Sequence, residues 1–106
     1  MLTEEQIHKL NAYFGFANKK KCLLVGIKLE EALVKNKISL LLITKNCGIK
    51  NEEKFRNLST NKNMLVLTYK GEYDVSLASG YEKLNAVGVG DRGLAKAIYS
   101  ILREDK

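Results

Sequence analysis

CLLVGIKLEEALVKNKISLLLIT, residues 22–44, changes its apolar rhythm twice. It opens on the unbroken apolar run Cys22–Val25, the pattern of a short strand buried on both faces, and closes on Leu40–Thr44, a second run of the same kind. Between them Leu29, Ala32 and Leu33 fall on one face of a helix, with charged residues over most of the other. Strand, helix and strand in immediate succession predict an alternating α/β fold.

The alternation continues outward in both directions. MLVLTY (64–69) and LNAVGV (84–89) read as a third and a fourth strand, and NCGIKNEEKFRNLSTN between the second and third strands as a loop and helix. GEYDVSLASGYEK reads as a short helix that stops at Gly80, a residue suited to a left-handed cap. Towards the N-terminus, Thr3 and Gln6 spell a capping box, and Ile7, Leu10 and Phe14 recur at helical spacing, so an amphipathic helix is expected to end between Gly15 and Asn18. The last helix begins at Asp91, whose carboxylate can accept the first free amide hydrogens, and carries Leu94, Ile98, Ile101 and Leu102 on its buried face. With no proline and no linker-like segment, residues 1–106 form one domain, a three-layer α/β/α sandwich around a four-stranded mixed sheet.

Composition narrows the function. A chain of 106 residues, 45% hydrophobic and 28% charged, has room for one core but not for separate cofactor and substrate domains. No apolar run reaches membrane-spanning length, and Glu4 and Glu5 stand where a signal peptide carries basic charge, so a cytoplasmic protein is expected, with no membrane partner. Cys22 and Cys47 fit neither a redox pair nor a zinc-ligand set; Cys22 reads as a small buried hydrophobe and Cys47, before Gly48, as the more exposed. The only histidine, His8, lies on the surface of the first predicted helix, far in sequence from any nucleophile motif. The pairs Glu4/Glu5, Glu30/Glu31 and Glu52/Glu53 fall near predicted helix starts, where carboxylates suit the dipole. The expectation is a protein that is not an enzyme, with no catalytic residues, no metal ligands and no cofactor.

Charge points elsewhere. Of the formal net +6, residues 18–50 account for the whole, with eight lysines against Glu30 and Glu31. A basic excess gathered in one stretch suits a polyanionic partner.

Two junctions have phosphate-compatible spelling. Gly88 to Gly93, GVGDRG, has the glycine spacing of a dinucleotide fingerprint, but only 13 residues follow it, and Asp91 puts negative charge where a pyrophosphate would sit. It reads instead as the exit of the last strand and the capped entry of the last helix, with glycines for close packing. At Val25-Gly26-Ile27-Lys28 a strand ends, and a helix opens beside a lysine.

The order of these features resembles the L-seven-Ae type ribosomal-protein superfamily, and within it the small bacterial YlxQ-like branch. The resemblance rests on Tyr13-Phe14-Gly15-Phe16-Ala17, on the basic stretch and Gly26 that follow, on Leu40-Leu41-Leu42-Ile43, and on Asp91-Arg92-Gly93-Leu94-Ala95-Lys96-Ala97-Ile98, similar to the family's Asp-x-Gly-Phe-Ala-Lys segment. It implies an α/β/α sandwich that binds structured RNA, commonly a kink-turn, through the start of the second helix and a loop before the last strand. The family pattern Gly-x-Asn/Lys-Glu/Gln falls on Gly26-Ile27-Lys28-Leu29, and the loop on Tyr81-Glu82-Lys83-Leu84. Leu29 departs from the pattern, since leucine offers no hydrogen bond to a base, and Ala32 stands where a basic residue is usual.

The expected function is recognition of a structured, kink-turn-like RNA, ribosomal RNA and ribonucleoprotein particles such as the ribosome included. The expected site is Lys19, Lys20, Lys21, Gly26, Ile27, Lys28, Tyr81 and Lys83, where lysines hold phosphates and Ile27 and Tyr81 meet unpaired bases. The alternative is a protein-interaction module on the same scaffold that has lost standard kink-turn recognition.

Overall fold

Helices and strands alternate along the chain in the computed structural model, which describes residues 1–60 and 62–105. In order they are α1 (Glu4–Lys19), β1 (Leu23–Leu24), α2 (Gly26–Val34), β2 (Leu40–Ile43), α3 (Ile49–Ser59), β3 (Leu65–Thr68), α4 (Val75–Ala78), β4 (Ala86–Val89) and α5 (Arg92–Leu102). The strands form one sheet in the order β1-β4-β2-β3. β2 and β3 are parallel, with Leu40 opposite Leu65, while β4 is antiparallel both to β2 (Leu40 opposite Val89) and to β1 (Leu23 opposite Val89). β1, β2 and β3 therefore point one way and β4 the other, the mixed four-stranded sheet expected of the sequence.

Alternating side chains divide the core between the two faces of this sheet. Leu40, Leu42, Val87 and Val89 face a layer made by α1, α4 and α5, where Leu10, Phe14, Val75, Ile98 and Leu102 pack. Leu41, Ile43 and Ala86 face the other layer, α2 and α3, where they meet Leu29, Ala32, Leu33 and Phe55.

Local readings fare unevenly. The capping box at Thr3 forms as spelled: the Gln6 amide donates to Thr3 Oγ1 at 3.1 Å and the Thr3 amide to Gln6 Oε1 at 2.9 Å. α1 runs one residue past the expected Gly15–Asn18 window, to Lys19, and stops where Lys21 turns left-handed at φ 59°. Ile7 is exposed, the inner stripe being Leu10, Phe14 and Ala17. Cys22–Val25 is not a strand buried on both faces. β1 is a two-residue edge strand, half-buried, because only β4 pairs with it. Glu30 and Glu31 lie beyond the first turn of α2, which already begins at Gly26; Glu30 instead pairs with Lys54 and ties α2 to α3.

GVGDRG takes the structural role. Gly88 sits in central β4, where a Cβ atom would lie 2.4 Å from Leu29 Cδ1 and 2.9 Å from Ile38 Cδ1, so the absent side chain is what lets α2 settle onto the sheet. Asp91 caps α5, accepting from the Leu94 amide at 2.9 Å and from Lys20 Nζ at 3.3 Å. The bond from Leu94, then that from Lys20, holds its carboxyl below the usual carboxylate range.

Candidate functional site

Because β1 and β2 run in the same direction, the helices that follow them open at the same end of the sheet, the carboxyl end of β1, β2 and β3. Each opens on the same tripeptide: Gly26-Ile27-Lys28 starts α2, and Gly48-Ile49-Lys50 starts α3. One strand, β4, separates β1 from β2, so the two strands that lead into these helices lie about 10 Å apart in the sheet. The N-cap residues, Val25 and Gly48, give no side-chain hydrogen bond to either helix. The first-turn amides there are left to backbone and solvent. Gly26 has φ +61°, with nothing within 4 Å of where a Cβ would be, so backbone conformation rather than crowding asks for glycine.

The side chains at these openings face outward. Ile27 is 74% and Ile49 81% exposed, and Lys28 and Lys50 are exposed beside them. The loop into β4 arrives at the same end, fixed there by Thr44 Oγ1, which donates to the carbonyl oxygens of Leu84 and Asn85. It carries Tyr81, 44% exposed, and exposed Lys83, shortly after α4, with Gly80 at φ +94° in the turn between. Among the described residues, Lys28, Lys45, Lys50, Lys70 and Lys83 make no ion pair.

A crevice opens at the same end of the sheet. β2 sends its connection to one face through α3, and its parallel neighbour β3 sends the next to the opposite face through α4. Such a divergence leaves a gap outside the strand ends, a usual ligand position in α/β sheets. The gap is a cavity of about 790 Å³ whose walls include Ile7, Lys45, Lys70, Glu72, Tyr73 and Asp105. Lys70 also acts on the entrance of α3. Burial and, secondarily, Glu52 push the Cys47 thiol up, while Lys70 draws it down. Burial pushes the Tyr69 hydroxyl up to about 12, aided by its bond to Asp105 Oδ2, so it is a neutral donor at physiological pH.

The eight residues expected from sequence divide. Gly26, Ile27, Lys28, Tyr81 and Lys83 share the carboxyl end of the sheet. Lys19, Lys20 and Lys21 lie at the other end, since the Cys22 carbonyl accepts from the Gly90 amide at 2.8 Å and Lys20 is paired with Asp91. β1 runs between the two groups. Leu29 and Ala32 are core residues, so neither position presents a side chain to solvent, and a glutamate at 29 would be driven into the cleft over Gly88. Ile49 and Lys50 were not picked out from sequence. The signal was present in the repeated Gly-Ile-Lys after two apolar runs.

No family model matches this chain, and no curated protein is significantly similar to it. Among solved structures, a protein of unknown function from Bacillus halodurans superposes with a TM-score of 0.76 at 19% identity, covering 91% of this chain and 98% of its own. The likeness shows a shared fold. Among the described residues no helix is long and apolar enough to cross a membrane.

Proposed function

We propose that the chain is a cytoplasmic RNA-binding protein that takes structured, kink-turn-like RNA, ribosomal RNA and its particles among the candidate targets, at the carboxyl end of β1, β2 and β3. The observation that carries this reading is the pair of Gly-Ile-Lys openings, uncapped by any side chain and exposing two isoleucines beside two lysines. Lys28 and Lys50, with Lys45, Lys70 and Lys83 around them, supply phosphate contacts, and the free first-turn amides add donors at the positive ends of two helix dipoles. Ile27 and Ile49 are largely exposed and Tyr81 partly so; beside an RNA they wedge against or stack on unpaired bases, which a kinked or looped RNA presents and a plain duplex does not. The resemblance of the sequence to the L-seven-Ae type superfamily supports the same end of the fold.

A gel shift of the full chain against a kink-turn stem and a plain duplex, at several salt concentrations, tests the reading. Preference for the kinked RNA is expected, with affinity falling steeply as salt rises and the salt slope reduced by about 1 each for Lys28→Ala and Lys50→Ala. Equal binding to both RNAs would remove the kink-turn part. No binding to either at low salt would remove RNA altogether and favour a protein partner for the exposed isoleucines, whose binding would tolerate salt.

A further inference from the structure

The amino end of the parallel strands holds a second cleft, on the far side of the sheet from the Gly-Ile-Lys openings. It has a volume of about 310 Å³, is flanked by Arg92 and Lys96 of α5, and is bordered by Ser39 and Asn63. Met64, Leu65 and Ala95 add an apolar floor.

The two cations are oddly placed for the fold alone. Arg92 is the first residue of α5, at the positive end of the helix dipole, where a cation is disfavoured. Lys96 follows at i+4, on the same side, so the like charges repel. Both are exposed, and only water relieves them. Asp91 spends one carboxylate oxygen on the Leu94 amide and the other on Lys20, and among the described residues neither Arg92 nor Lys96 makes an ion pair. Lys19 and Lys20 differ in this respect: they lie at the carboxyl end of α1, where the dipole favours them.

An anion in the cleft would remove both penalties at once. The volume exceeds that of a bare phosphate and lies at the small end of ligand sites, the size of one nucleotide. The Ser39 hydroxyl, which donates to the Gly90 carbonyl at 3.3 Å, keeps acceptor capacity for a ligand hydroxyl or amine, and the Asn63 amide offers both functions. We propose that this cleft binds a phosphorylated ligand of mononucleotide size, its phosphate on Arg92 and Lys96 and its less polar part over Met64 and Leu65. The phosphate belongs either to a free mononucleotide or to a nucleotide within a strand, and the site stands independently of RNA binding at the opposite end.

The test is a titration of the full ¹⁵N-labelled chain with adenosine 5′-monophosphate, adenosine, inorganic phosphate and a 5′-phosphorylated uridine trinucleotide, followed by amide shifts. The monophosphate is expected to give saturable shifts at Ser39, Asn63 and Arg92 that adenosine does not, and Arg92→Gln and Lys96→Gln are each expected to weaken it about tenfold or more. Both variants should fold, and each should melt at a higher temperature than the parent in the absence of ligand. Shifts with the trinucleotide but not the monophosphate would assign the phosphate to a nucleic-acid strand. The proposal fails if no phosphorylated probe moves these amides, if adenosine binds as well as its monophosphate, or if both glutamine variants bind unchanged. Loss of RNA binding in Lys28→Ala with these shifts intact would separate the two ends.

Discussion

The two helical layers begin their helices differently. In the layer of α1, α4 and α5, every helix starts under a side-chain cap, from Thr3, Asp74 and Asp91 respectively. In the layer of α2 and α3 neither does. Caps satisfy first-turn amides and fix the direction in which the chain enters a helix. In the capped layer side chains satisfy first-turn amides, whereas the uncapped layer leaves donors, apolar side chains and lysines facing solvent together. The RNA surface proposed above thus lies at the openings of the uncapped layer.

The sharpest contrast between the layers is energetic. Phe14 in the capped layer is fully buried, so Phe14→Ala should cost about 3–5 kcal/mol in urea unfolding. Ile27→Ala and Ile49→Ala, large apolar truncations in the uncapped layer, should change stability by no more than about 0.5 kcal/mol while weakening RNA binding. A large stability loss from either isoleucine would erase the distinction. At the seam of α2 with the sheet, Gly88→Ala adds a methyl group against Leu29 and Ile38 and should cost about 1–3 kcal/mol in the same measurement. Its amide shifts should spread along α2 rather than α1.

The smallest effect is the most direct test of capping itself. Thr3→Ala should destabilise by about 1 kcal/mol, whereas Gly48→Asp, which installs the missing cap on α3, should stabilise by a few tenths of a kcal/mol. The same aspartate puts a negative charge at the proposed RNA surface, so RNA affinity should fall as the melting temperature rises. Affinity unchanged by Gly48→Asp would mean that the opening of α3 has no part in binding.

Most of the architecture was legible because it is written locally. Unbroken apolar runs mark β2 and β4, helical spacing marks Leu10 and Phe14, and short polar side chains mark the caps at Thr3 and Asp91. Whether a run lies centrally or at an edge is not local. Cys22–Val25 looks like Leu40–Ile43, yet only β2 has neighbours on both sides. The candidate site suffered from the same limit. Lys21 and Lys28 are close in sequence, but β1 crosses the sheet between them, while Lys28 and Lys50 share an end because two parallel strands deliver them there.

The brevity of β1 also bears on how copies of the molecule behave at high concentration. An outer strand of two residues exposes too few backbone groups to template pairing with a neighbour. At the opposite margin, β3 ends on Thr68, whose hydroxyl accepts from Arg56 Nη2 at 2.6 Å, with Arg56 in turn paired to Glu52. One border is too short to extend and the other carries a charged pair, and a sheet bounded in this way resists growth into a fibre.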